Sequence, residues 1–345
     1  VGHHRPAPAR REVSVRHLRR KLAFYLVALW AAVTVNFLLP RLMPGDPVDA
    51  LLSRMQQTGG AVSPEARQAL EVMLGTGGQE NLAAQYLTYL GNLLRGDFGV
   101  SATYFPTPVS TVLTQSLPWT LVLVGLSTVV SFVLGVTLGA LVGWRRGRWT
   151  DALVPATTFL AAVPYFWLAL VLVFVFGATL GLFPLTGGYD YGLQVGFTGP
   201  FLASALHHGL LPAITIVLSS VGTWLLGMRN MTVSTMAEDY VLTAHAKGLR
   251  PRRVLVTYAA RNAVIPSLAS FAISLGFVVS GSIVTEAVFS YPGIGFTLLQ
   301  AVQNNDYPLM QAVFLVITLA VLGANLLVDL LHAVIDPRTR QTGGR

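Results

Sequence analysis

The chain has 345 residues, of which 53% are hydrophobic and only 11% charged, less than half the charged fraction of an ordinary soluble domain (about 25%). It contains no cysteine, which excludes disulfides, thiolate catalysis and cysteine-ligated metal centres. The net charge of +8 acquires a meaning only once the basic residues are placed between the apolar runs.

A helix needs about 20 mostly apolar residues to cross roughly 30 Å of hydrocarbon. The pattern predicts six such spans, near Lys21 to Leu39, Leu117 to Trp144, Ala152 to Phe183, Leu206 to Met228, Val264 to Phe289 and Leu309 to Val334. The first run continues into Arg41 and Pro44 with no small-residue cleavage site, so it is read as a retained helix and not a signal peptide. Of the 23 lysines and arginines, 19 fall before the first span, between the second and third, between the fourth and fifth, or after the sixth. Arg41, Arg54, Arg67 and Arg95 lie on the other side. Positive charge is retained on the cytoplasmic face, so both termini are expected there. The basicity then reports topology and requires no nucleic acid.

The expected layout is a basic cytoplasmic tail (1–20), a first membrane helix (21–39), an extracytoplasmic helical cap (40–116), a membrane core (117–335) and a cytoplasmic tail (336–345). In the cap, Ser63-Pro64-Glu65 reads as an N-cap followed by proline at N1. Leu82, Tyr86, Tyr89, Leu90, Leu93 and Leu94 fall on one helical face. The glycine-rich stretch with Tyr189, Tyr191 and Phe197 fits either a loop at the aromatic belt or a substrate contact. Gly135, Gly139 and Gly143 repeat every four residues, a spacing that lets two membrane helices approach closely. Pro155, Pro164, Pro212 and Pro266 predict kinks, which suit a cavity or a purely structural bundle equally.

Catalytic motifs do not appear. Each of the two lysines, Lys21 and Lys247, is followed by Leu22 or Gly248, so the chain holds no G-x-x-x-x-G-K-[ST] phosphate loop. There is no H-E-x-x-H zinc motif and no G-x-S-x-G elbow. His207 and His208 are adjacent, and neighbours point in different directions on a helix. Glu286 and Asp329 sit near the ends of their spans, where water or headgroups would reach them, which reads as interfacial structure and not as an ion relay.

One polar stretch interrupts the apolar runs, within the loop 229–263. Thr235 to Glu238 fits a capping box, Gly248 supplies a left-handed stop, and Pro251 restarts a helix at N1. Pro266 then marks the start of the fifth span. The small apolar stripe Ala237, Val241 and Ala244, flanked by Tyr240 and Lys247, suits a partner protein's groove or a bed of lipid headgroups.

"EDYVLTAHAKGL" (238–249) and "RNAVIP" (261–266) resemble the EAA motif of ABC importer permeases in the form of the dipeptide, oligopeptide and nickel subfamily. "LMPGDPV" (42–48), "YLGNLLRGDFGVS" (89–101), "VPYFWLALVLVF" (163–174), "EAVFSYPGIGFTLLQAVQNNDYPLMQ" (286–311) and "NLLVDLLHAVIDPR" (325–338) resemble it in the same order. The resemblance implies an all-α integral membrane protein with the type I importer permease fold, six membrane helices and a large outer loop after the first. It implies pairing with a second, homologous permease, two cytoplasmic ATPase subunits that bind ATP and Mg, and an extracytoplasmic substrate-binding protein. This chain itself is expected to hold no cofactor and no metal. The implied cargo is di- or oligopeptides, while relatives of this pattern also carry nickel or oligosaccharides.

By the same resemblance, Glu238, Asp239, Tyr240, Val241, Ala244, His245, Ala246, Lys247, Gly248 and Leu249 form the ATPase-coupling helix and its elbow. His245 stands where the family often has arginine, and residues 75–81 depart from the family's pattern. A stand-alone secondary transporter would want buried carboxylates, a membrane enzyme a convergent catalytic group, and a plain scaffold no such motif; each fits the residues less well.

Overall fold

The computed structural model describes residues 15–42, 48–49, 52, 64, 67–68, 81–145, 152–276, 278 and 283–335. The helix start predicted at Ser63-Pro64-Glu65, except Pro64 itself, most of the 1–20 tail, the altered 75–81 segment up to residue 80 and the 336–345 tail lie outside them.

Helix α1 (Val15–Leu42) is longer at both ends than the predicted first span. Helix α2 (Leu82–Arg95) starts at Asn81, whose side chain accepts from the Ala83 amide, and stops at Gly96 in the left-handed conformation (φ 72°). It lies on the C-terminal half of α1. Tyr86 shares a 2.7 Å hydrogen bond with Thr34, Phe37 packs on the rings of Tyr86 and Tyr89, and Arg41 donates to Gln85. Leu82 and Leu94, expected on the packed face, are exposed. The helix is short and meets α1 along a narrow line, so the two ends of its apolar stripe extend past the contact.

Helix α3 (Val109–Trp144) begins eight residues before the predicted core boundary, and α6 (Gly199–Thr235) extends well beyond Leu206 to Met228 at both ends. At about 1.5 Å per residue each exceeds 50 Å, so both project past the hydrocarbon. They form the spine of the molecule, held by the predicted glycine face. A methyl group at Gly135 would overlap Trp224 Cβ, one at Gly139 would stand 2.5 Å from the Leu225 carbonyl oxygen, and one at Gly143 would stand 2.9 Å from Thr232 Cβ.

The predicted third span is not one rod. It is split into α4 (Leu153–Ala162) and α5 (Tyr165–Leu172), the latter continuing as a π-helix (Val173–Thr179). The two halves are bent by 98°. Pro164 supplies the break: it disfavours helical geometry at Val163, which is extended (ψ 127°).

One turn of α-helix (Pro251–Arg253), a π-helix (Val254–Ala260) and α8 (Arg261–Gly276) follow one another without interruption. Pro266 therefore lies inside a helix and not at its start. The predicted fifth span falls on α8, Val278 and α9 (Ile283–Val288), with residues 277 and 279–282 outside the described residues. Helices α10 (Ile294–Gln303) and α11 (Tyr307–Ile335) complete the chain. Among the described residues four helices are long and apolar enough to cross a membrane, five if the bent pair counts as one span.

Candidate functional site

The polar interruption folds as a helical hairpin: α7 (Asp239–Ala246), a glycine elbow, and the helix restarted at Pro251. The expected capping box is absent. Thr235 is the last residue of α6 and is buried, and Glu238 itself holds the N-cap position with extended backbone (φ −74°, ψ 145°) and no side-chain cap. The turn between the helices is closed by backbone bonds, from Ala237 to Ser234 and from Glu238 to Thr235, so the threonine has no orphan amide to serve. Asp239 in the first turn complements the helix dipole.

The elbow is a Schellman motif. The Gly248 amide donates to the His245 carbonyl (2.9 Å) and the Leu249 amide to that of Ala244 (3.4 Å). Gly248 has φ 72°, and a Cβ there would meet nothing within 4 Å. The requirement for glycine is therefore conformational, since L residues resist positive φ. Arg250 then accepts from the amides of Arg253 and Val254, and Pro251 sits at the first helical position.

Two of the stripe's three residues are consumed within the chain, while Ala237 stays exposed. Val241 and Ala244 are buried together with Val254, and Met236, Leu249 and Tyr258 pack around them. At about 1.5–3 kcal/mol for each fully buried valine, this small cluster holds the two legs at a set angle. The Tyr240 hydroxyl accepts from Asn262 (3.0 Å), which also donates to the Tyr258 carbonyl. Thus "EDY" and "RNAVIP" are clamped to each other. Of the residues expected to couple, Val241 and Ala244 present no surface, Leu249 is half-buried, and Glu238, Asp239, Tyr240, His245, Ala246, Lys247 and Gly248 are exposed beside Leu242. Asn262, Val254 and Tyr258 were missed by the sequence reading. The spacing between the two motif halves was the available signal, because a hairpin must pair residues from both legs.

A second cluster lies where the chain turns after α9. Glu286, expected within reach of water, is fully buried. Its Oε1 accepts from Thr120 (2.8 Å) and its Oε2 from the amides of Gly295 (2.7 Å) and Phe296 (3.2 Å). It caps α10 from nine residues upstream, and Thr120 in turn accepts from the Ile294 amide. Burial of the charge is offset by these bonds and by the positive end of the helix. Asp306, also buried, does the same for α11: it accepts from the Leu309 amide, and from Ser101 and the Thr103 amide in the loop before α3. Both carboxylates fasten helix ends to distant parts of the chain. Asp329 differs. It is partly exposed, paired with Lys21 at 3.5 Å, and accepts from Tyr25 (2.9 Å).

In the glycine-rich loop before α6, Tyr189 stacks on Trp119 and contacts Phe201, while Tyr191 and Phe197 are fully exposed. His207 and His208 diverge as expected, to the Leu182 and Ser204 carbonyls respectively.

An all-helical, multi-pass membrane protein with a clamped polar hairpin between apolar spans defines a class. Residues 135–341 match the family of inner membrane components of binding-protein-dependent transport systems, and the chain belongs to it. The oligopeptide transport system permease protein AppB of Bacillus subtilis is 30% identical over 323 residues, covering 93% of this chain and 98% of the relative. The di/tripeptide transport system permease protein DppB of Pseudomonas aeruginosa is 32% identical over 338 residues, covering 94% and 98%. A putative peptide permease protein of Brucella ovis is 32% identical over 329 residues, covering 95% and 100%.

Proposed function

We propose that this chain is one of two permease subunits of a binding-protein-dependent ABC importer for di- or oligopeptides. It would span the membrane six times with both termini cytoplasmic, the bent α4–α5 pair and the α8–α9 region each counting as one span. Residues 40–116 form the outer cap. ATP and Mg are bound by two separate ATPase subunits, and an external receptor delivers the peptide. The names of the relatives support the peptide cargo, and their near full-length coverage supports the whole layout.

The observation that carries the mechanism is the hairpin's self-sufficiency. Val241, Ala244 and Val254 are already buried against each other, so the exposed side of α7 is free to seat on an ATPase subunit through Leu242, His245 and Lys247. When the ATPases close on ATP, a clamped hairpin moves as one body and passes the displacement to α6 and α8, to which it is continuous. Hydrolysis returns it. Single cysteines at Leu242 and His245 should cross-link to an ATPase subunit in the purified complex, with yield changing on ATP addition. A complex in which neither position cross-links to any ATPase would refute this assignment.

A further inference from the structure

Helices α1 and α11 run antiparallel, and near the start of α1 they border an open cleft of about 520 Å³. Its polarity is graded. At its rim stands Asp329, which pairs with Lys21 3.5 Å away, and both side chains are partly open to solvent. One turn in are Tyr25 and Asn325; deeper lie Ala28 and Leu322, with Phe24 and Ile273 as side walls. Asp329 and Leu322 are seven residues apart, so the change from charged to wholly apolar takes about 10 Å along the helix. That is the depth over which a lipid passes from headgroup to acyl chain.

We propose that this cleft is a binding site for one glycerophospholipid with a primary ammonium headgroup. The ion pair selects the headgroup. A phosphodiester beside Lys21 and an ammonium beside Asp329 repeat the pair's own charges with the signs crossed. Lys21 and Tyr25 both address Oδ2 of Asp329, and the ammonium takes Oδ1. A trimethylated headgroup has no N–H to donate to that oxygen. A headgroup with phosphate and no cation sets a negative charge against Asp329. Exposed Arg20 adds a second cation at the rim. The lipid fills the wedge between α1 and the rest of the bundle, next to Phe24, two-thirds exposed. That the lipid comes from the cytoplasmic leaflet rests on the topology proposed above; the selectivity does not.

The test uses the full chain co-expressed with its partner subunits, purified, stripped with detergent and titrated with phosphatidylethanolamine, phosphatidylcholine or phosphatidylglycerol of matched acyl chains. Native mass spectrometry should find one phosphatidylethanolamine per chain retained at least tenfold better than either alternative. Asp329→Asn and Ala28→Phe, one at the rim and one on the apolar floor, should each lower that retention tenfold or more. A photoreactive phenylalanine at position 24 should capture phospholipid, which decides the matter even if a variant fails to assemble. Equal retention of the three lipids, retention unchanged in both variants, or capture at position 24 of polypeptide only would overturn the proposal. The last outcome would mean that a protein segment covers the cleft. Side-specific labelling of a cysteine in the N-terminal tail reports separately on the leaflet.

Discussion

Two of the turns between helices are built on opposite principles. The elbow at Gly248, inner in the topology proposed above, is closed by backbone bonds alone and is open to solvent. The corner around residues 286–309, outer in the same topology, is closed by two buried carboxylates whose partners come from α10, from α3 and from the loop before α3. Buried charges with every bond satisfied are costly to disturb, so the outer corner knits several elements into one unit. The hairpin has its own small core and continues at both ends into α6 and α8, so it keeps its shape while its position follows those helices. A coupling device needs that combination.

This contrast can be broken first at the outer corner. Glu286→Ala would leave two backbone amides and the Thr120 hydroxyl without their acceptor in a buried site; a loss of about 3–5 kcal/mol is expected, read as a large fall in thermal stability of the purified complex. A small fall would show that water replaces the carboxylate. Ala244→Asp places a charge in the hairpin's core, at a cost of several kcal/mol locally. By unfolding the hairpin it should make the bonds after Lys247, Arg252 and Arg253 cleavable by trypsin and release the ATPases, while the unfolding midpoint of the membrane core stays unchanged. If the core melted as well, the hairpin would not be the separate body described here.

Gly248→Val meets no steric neighbour but strains φ by about 1–3 kcal/mol. Assembly should persist while peptide uptake falls relative to ATP hydrolysis in proteoliposomes, and unaltered coupling would remove the elbow from the mechanism. The smallest effect belongs to Asn262→Ala, about 1 kcal/mol for two exposed hydrogen bonds. It should speed amide exchange in α7 and leave the outer corner untouched.

Much of the hairpin was legible because turn chemistry is local. Gly248 had to adopt positive φ and Pro251 had to begin a helix whatever surrounded them. The glycine repeat likewise announced a close helix pair without naming α6 as its partner. The capping box at Thr235 failed because the motif is equally compatible with a backbone-closed turn, and the choice depends on α6 running on to that threonine.

Composition, charge placement and motif order were sufficient for the class: a basic, apolar, multi-span subunit that hydrolyses nothing through a phosphate loop of its own. Which side of α7 is available, that Glu286 is a buried cap, and that the third apolar run turns by 98° were decided by tertiary structure. Periodicity says that a residue is apolar or charged, while burial and pairing depend on elements more than a hundred residues away, as Thr120 is from Glu286.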